Sequence, residues 1–327
     1  MNIPLRLAVA IAFGVASSGA QAITITSSQD VNGLVNALLA GANTGILVTG
    51  STLSGHTAAV TLSGAPLGSF TSSGTYTNAS NTYGIGPGVV LSTGGVEGVS
   101  FQGSGLPGYE DGPNTTENNG LPFGSDFEIT NPPDPNDAPP GAPASAAQEL
   151  LLDPITGDPG TQTFYDHYDV TELVINFDMQ SGFDRVGFKI VFGSEEYPEY
   201  VDSPFIDGFG MFLNGVNIAQ VGNQPVNIRH PDMTDTITGT ELDGILAPGG
   251  NPVLTFGGLV NPTGNTLRFI VADTSDGVWD TTVYFSALEG VPQVPLPAGV
   301  WLLGTGVAGL LGRRLLKKRE LPAAEAT

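Results

Sequence analysis

The stretch Leu173-Val174-Ile175-Asn176-Phe177-Asp178-Met179, with Val186-Gly187-Phe188-Lys189-Ile190-Val191-Phe192 shortly after it, decides the fold class. Leu173, Ile175, Phe177 and Met179 alternate with Val174, Asn176 and Asp178, and Val186, Phe188, Ile190 and Phe192 alternate with Gly187, Lys189 and Val191. A period of two puts one set of side chains on one face, so both runs predict β-strands half-buried against a core. Leu267, Phe269 and Val271 repeat the pattern, as do Val283 and Phe285. Asn214-Gly215 stands between Phe209–Leu213 and Val216–Val221, where that dipeptide predicts a tight hairpin turn. With 46 Gly and 25 Pro in 327 residues, short strands joined by many turns are favoured over a helical bundle. The class expected is all-β.

One helix is expected, over Ser28–Ala40. Val31, Leu34, Val35, Leu38 and Leu39 form a single apolar stripe, with Ser28 able to cap its start and Gly41 to end it. From Asn131 to Gln148 the chain carries six prolines in the twelve positions from Pro132 to Pro143. Such a stretch supplies few ladder donors and is expected as an exposed insertion within one domain. No repeat of solenoid or propeller period is visible.

Both ends look like address labels. Arg6, the apolar run Leu7–Val15 and the Ala20-Gln21-Ala22 triplet have the three parts of a secretory signal peptide, residues 1–22, so the mature chain is expected to start at Ile23. Near the other end, Val294-Pro295-Leu296-Pro297-Ala298 leads into an apolar segment reaching Gly312, followed by Arg313, Arg314, Lys317, Lys318 and Arg319. As a helix, Leu296–Gly312 would be about 25 Å long against a hydrocarbon core of roughly 30 Å, which suits transient insertion better than permanent anchorage. The basic cluster predicts a cytoplasmic tail, residues 320–327. Residues 294–319 resemble the PEP-CTERM sorting signal, with Leu296 where Glu usually stands. The resemblance implies an exosortase-type membrane protease as partner, a transient inner-membrane intermediate with a C-terminal hydrophobic helix, and delivery to the surface or extracellular matrix of a Gram-negative bacterium. An uncleaved single-pass anchor is the alternative.

Between these ends, Arg185, Lys189, Arg229 and Arg268 are the only basic residues against 30 acidic ones, a net charge of −26. That field repels nucleic acid and anionic membrane and draws cations; no nucleic-acid partner is expected. Cysteine is absent, which removes disulfides, thiolate metal sites and Cys nucleophiles. About 270 residues are left, enough for one large β domain over 23–293.

The most distinctive internal run is Phe192-Gly193-Ser194-Glu195-Glu196-Tyr197-Pro198-Glu199-Tyr200-Val201, followed by Ile206-Asp207-Gly208-Phe209-Gly210-Met211-Phe212-Leu213. Together with Gly88–Gly94, Tyr165–Phe177 and the segment from Val271 to Val283, it resembles the bacterial choice-of-anchor L domain family. The resemblance implies an extracellular, jelly-roll-like β-sandwich module and carries no enzymatic activity with it.

Glu195, Glu196, Glu199, Asp202 and Asp207 lie within 13 positions without a Lys or Arg among them, and Asp273, Asp276 and Asp280 form a second acidic loop before a strand. Ca²⁺ takes six to eight oxygens from such loops. Glu195, Glu196, Asp207, Asp273, Asp276 and Asp280 are therefore the candidate ligands, Ca²⁺ the candidate cofactor, and simple solvation of these side chains the alternative. A glycosidase pair would need two carboxyl groups facing each other across a sugar. Glu195 and Glu196 on extended chain would face opposite ways, which leaves Glu195 with Asp207 or Asp276. His56, His167 and His230 are expected as hydrogen-bonded or surface histidines, and Tyr197, Tyr200 and Phe205 as packing residues. Trp279 is the best candidate for an exposed sugar platform. The function expected is a non-enzymatic structural or adhesive component of the biofilm matrix, partnered by extracellular polysaccharide or another matrix polymer. A secreted polysaccharide hydrolase using loop carboxylates is the alternative.

Overall fold

The computed structural model describes residues 23–40, 44–55, 57–62, 65–79, 81–96, 143–158, 160, 163–235, 244–277 and 280–292. The signal segment 1–22, Gly41, His56, most of the proline-rich stretch, Trp279, and Val294, Pro295, Leu296, Pro297, Ala298, Arg313 and Arg314 with their apolar helix lie outside the described residues.

In chain order the elements begin with β1 (Thr24–Ser27), α1 (Val31–Leu38), β2 (Ile46–Ser54), β3 (Thr57–Leu62), β4 (Ala65–Thr71), β5 (Ser73–Thr77) and β6 (Gly88–Ser92). After the proline-rich stretch come α2 (Ala146–Thr156), β7 (His167–Met179), β8 (Phe183–Ser194), β9 (Gly208–Leu213) and β10 (Val216–Asn217). Then follow β11 (Gln220–Val221), β12 (Gln224–Asn227), β13 (Met233–Thr234), β14 (Gly244–Leu246), β15 (Leu254–Leu259), β16 (Asn265–Thr274) and β17 (Thr281–Pro292). One antiparallel sheet runs β1-β5-β6-β17-β8-β14-β13, with β15 also on β8. A second runs β11-β12-β9-β16-β7-β2, with β10 also on β9, and β3 and β4 form a separate hairpin.

The alternating residues do what their period demands. Val186, Phe188, Ile190 and Phe192 from one sheet share a buried core with Leu173, Ile175, Phe177, Leu267, Phe269 and Val271 from the other. Phe269 of β16 meets Phe285 of β17 and Phe188 of β8 edge-on, with ring centroids 4.7 and 5.9 Å apart, so the two sheets face each other across one core. Edge-to-face pairs of this kind add roughly 0.5–1.5 kcal/mol beyond the area they bury. Asn214 and Gly215 both adopt positive φ, 51° and 84°, in the tight β9–β10 turn.

Both helices differ from expectation. The N-terminal one is shorter than Ser28–Ala40, and Asp30 rather than Ser28 caps it by accepting from the Asn32 N–H at 3.1 Å. Ser28 instead accepts from the Asp30 N–H. Leu34, Val35 and Leu38 of α1 are buried in the shared core, as the apolar stripe requires.

Helix α2 was hidden by proline content: Ala146–Gln148, expected as the end of a loop, form its first turn. A capping box starts it, with the Ser145 hydroxyl accepting from the Gln148 N–H while the Gln148 side chain accepts from the Ser145 N–H at 2.9 Å. Pro154 sits inside the helix and leaves the Leu150 carbonyl without its usual donor, on a residue that is 75 % exposed. Leu152 and Ile155 pack on Val170, Phe212, Ile270 and Ala272, the outer face of the second sheet. That cover explains why β7 and β16 are buried on both faces at one end and alternate only at the other.

Candidate functional site

Four strand ends meet at one end of the molecule. Glu195 and Glu196 follow β8, Asp207 precedes β9, Asp273 ends β16, and Asp280 precedes β17 after the loop that carries Asp276. Glu195, Glu196, Asp207, Asp273 and Asp280 are buried, while Asp276 is half-buried. Residues 195–202 are turns, not extended chain, so Glu195 and Glu196 escape the alternation expected of a strand and both are taken inside.

Hydrogen bonds tie this end together. Asp207 accepts from the Thr274 N–H at 2.9 Å and from the Thr281 hydroxyl at 2.7 Å, joining the two sheets. The Glu195 N–H donates to the Asp280 carbonyl at 3.1 Å, and the Thr93 N–H to the Thr281 carbonyl at 3.0 Å. Gly94 is required here because any Cβ would run into the Asp280 carboxylate. Arg229 spends its guanidinium on the Val201 and Ser203 carbonyls, at 3.2 and 2.7 Å, which fixes the turn after the glutamates.

Two carboxylates stand out. Asp273 is 1 % exposed and neither of its oxygens makes a hydrogen bond of good geometry; the Thr93 side chain is its nearest donor, and its other neighbours are the carboxyls of Asp207, Asp280 and Asp169. Glu196, 3 % exposed, has Oε2 in the same condition. Burial, and then the negative charges around it, hold the Asp273 carboxyl well above the usual range. Burial pushes Glu196 up to about 11, with Asp207, Asp276, Glu195 and Glu199 adding to it. Burial raises Asp207 to about 7 despite the help of Thr281 and Thr274. Among the described residues, no Lys or Arg offsets the charge of this cluster.

Asp169 is a member outside the six candidate ligands. It is buried, with φ of 46°, where the β7–β16 register slips between Val271 and Asp273. A bulge re-aims the side chains around it, and Asp169 acts electrostatically on Asp273. Nothing in its local pattern announces this, because the slip depends on a partner strand about a hundred residues later.

The histidines divide. His230 accepts from the Asp232 N–H at Nδ1 and lies 3.0 Å from the Val221 carbonyl at Nε2, a hydrogen-bonded histidine as expected. His167 is different: it is fully buried, with Glu149 Oε2 2.6 Å from Nδ1 and the Thr156 hydroxyl 2.6 Å from Nε2. Among the described residues, Glu149, Asp153 and His167 form the one set of three whose potential ligand atoms all lie within 4.8 Å of one another. The strand-end acids are spaced more widely, which does not disqualify them. Ligands on opposite sides of Ca²⁺, each at 2.3–2.6 Å, are up to about 5 Å apart. Of the aromatic residues, Tyr197 donates to the Met233 carbonyl at 3.1 Å and Tyr200 stacks edge-on with Phe205, so these three are packed.

The fold and this end together define a two-sheet antiparallel β module whose strand-end loops carry buried, uncompensated acids. The chain matches the family described as Choice-of-anchor L domain over residues 23–243, and it belongs to that family. Membership is consistent with an exported, cell-surface protein. The match includes Glu195, Glu196 and Asp207, whereas Asp273, Asp276 and Asp280 lie beyond it, at the end of β16 and in the loop that leads to β17. No curated protein and no solved structure matches the chain.

Proposed function

We propose that this is an exported protein held at the cell surface as a structural or adhesive component of an extracellular polysaccharide layer, with Ca²⁺ ordering its acid-loaded end. One observation carries the calcium part: the Asp273 carboxylate, 1 % exposed, sits among Asp207, Asp280 and Asp169 with only the Thr93 side chain near enough to donate and, among the described residues, no basic residue to balance them. Leaving ionised carboxylates buried in this way is costly unless a cation coordinates them. Glu196, Asp207, Asp273, Asp276 and Asp280, with Glu195, supply the all-oxygen set that a hard divalent cation prefers.

Family membership and the two terminal signals support the surface part. The signal peptide ends where the family match begins, at Ile23. The Val294–Ala298 motif, the apolar segment and the basic cluster address the C-terminus to an exosortase-type protease during passage through the inner membrane of a Gram-negative cell. The partner is then polysaccharide or another polymer of the surrounding matrix. We read the two facing sheets as a β-sandwich of jelly-roll type.

Glycoside hydrolysis is disfavoured at this end. It needs an acid and a nucleophile or base that reach opposite sides of a glycosidic bond. Asp207 is fully buried and Glu195 nearly so, which keeps a sugar ring away from both.

The test is made on protein recovered from the cell surface. Its intact mass should correspond to a chain starting at Ile23 and cut near Pro297. EDTA should lower its melting temperature by several degrees, and added CaCl₂ should restore it. A full-length mass would sink the sorting proposal, and a melting temperature indifferent to both additions would sink the calcium proposal.

A further inference from the structure

Glu149 and Asp153 stand four residues apart on α2, a spacing that puts both on one helix face. His167, at the start of β7, meets that face. We propose that Glu149, Asp153 and His167 form a second metal site, distinct from the strand-end acids and suited to a borderline transition-metal cation such as Zn²⁺. One imidazole with two carboxylates is a donor set that Zn²⁺ accepts and that Ca²⁺, which takes oxygen alone, does not favour.

The surroundings are those of a built site. A metal-bound histidine almost always gives its other ring nitrogen to a fixed partner. Here Nε2 lies 2.6 Å from the Thr156 hydroxyl, and that hydroxyl reaches the Leu152 carbonyl at 3.4 Å. Glu149 is held by the His167 main-chain N–H, which donates to Oε1 at 3.1 Å and leaves Oε2 facing Nδ1. The capping box at Ser145 and Gln148 anchors the first turn from which Glu149 projects.

Asp153 is the informative member. Among the described residues its carboxylate makes no hydrogen bond, yet it is kept within 4.8 Å of the ligand atoms of Glu149 and His167. It also lines a cavity of about 360 Å³, together with Phe164, Pro225 and Arg229. Of the three ligands only Asp153 lines that cavity, so an ion would enter past Asp153.

Without metal, one proton sits between Nδ1 and Glu149 Oε2; on binding, Nδ1 and Oε2 turn their lone pairs to the ion and that proton leaves to solvent. Glu149, His167 and Thr156 also have the order of an acid, base and hydroxyl relay. Thr156 is fully buried, however, so its hydroxyl cannot reach a substrate and acyl transfer is not what this arrangement does.

The experiment uses the full-length chain stripped with EDTA, titrated with ZnCl₂ by calorimetry and with CoCl₂ by visible absorption. One tight Zn²⁺ per chain and a Co²⁺ d–d spectrum typical of nitrogen and oxygen ligands are expected. Asp153→Asn, which removes no hydrogen bond and so spares the fold, should weaken Zn²⁺ at least about tenfold and erase the Co²⁺ spectrum. The calcium-dependent melting shift should survive in that variant. Asp273→Asn should leave the Zn²⁺ affinity and the Co²⁺ spectrum unchanged. No Zn²⁺ binding by the native chain, native affinity in Asp153→Asn, or loss of Zn²⁺ only in Asp273→Asn would each overturn the proposal. This site stands or falls separately from calcium at the strand ends.

Discussion

At the seam between α2 and β7, each buried or half-buried acid but Asp153 has a donor of its own. Glu149 takes the main-chain N–H and the ring of His167, and Glu172 takes Gln148 and Arg268, the latter at 2.7 Å. At the strand ends, a few residues away along β7 and β16, the protein collects more carboxylates and supplies no cation. Arg268 is committed to Glu172 and Arg229 to two carbonyls, while Arg185 and Lys189 are exposed on β8. The same fold therefore neutralises one group of acids from within and leaves the other to a proton or an outside cation. The net charge of −26 between the two terminal segments is thus not spread evenly as a solubility coat. Part of it is concentrated where water is excluded, and there it acts as a demand for a ligand.

His167→Ala should break the paired region with the largest effect. It removes two buried ring hydrogen bonds and opens a cavity under α2, for a loss of about 3 kcal/mol. Chemical unfolding of zinc-free protein should show the same loss with and without CaCl₂, because calcium does not bind at the seam. A loss that depends on calcium would mean that the two regions are one coupled unit.

Asp273→Asn attacks the unpaired region and should change sign with conditions. In EDTA it removes a buried carboxyl that folding obliges to hold a proton, and the variant should be more stable than the native chain by about 1–2 kcal/mol. In saturating CaCl₂ it removes a ligand, and the variant should melt below the native chain. Destabilisation under both conditions would make Asp273 a packing residue and end the contrast.

How much of this was legible follows from the range of the forces involved. Period-two alternation is local, so β7, β8, β16 and β17 could be read directly from Leu173–Met179, Val186–Phe192, Leu267–Val271 and Val283–Phe285. The Asn214-Gly215 turn was equally local. Gathering Glu195, Glu196, Asp207, Asp273 and Asp280 at one end also followed, because each flanks a strand terminus that could be placed. Burial of the acids was not legible: whether a loop carboxylate faces water or its neighbours is decided by turns such as 195–202 and by the Gly94 approach to Asp280. Helix α2 was missed because Pro143 and Pro154 outweighed the Ser145-x-x-Gln148 box, and with it went the Glu149–Asp153 pair. Once the helix is known, that pair is visible from spacing alone.

Acid should favour the metal-free protein, the smallest of the expected effects. Asp207 and Glu196 hold their protons more tightly when folded than when unfolded, at about 7 and about 11. Groups raised in this way stabilise fully below their unfolded values, near pH 4, and lose that contribution as pH rises through the folded ones. In EDTA the melting temperature should therefore fall as pH rises from about 4, with Asp207's share lost by about pH 7 and Glu196's still being lost above that. Repulsion among exposed carboxylates gives a similar trend, but salt near 0.5 M screens surface charges and leaves buried ones largely unscreened. The decline should therefore persist in high salt. Saturating CaCl₂ takes the proton's place and should flatten it, so the gap between the two curves widens as pH rises. A metal-free curve that is flat or climbs over this range in high salt would mean that these acids are solvated, and the strand ends would then be no different from the seam.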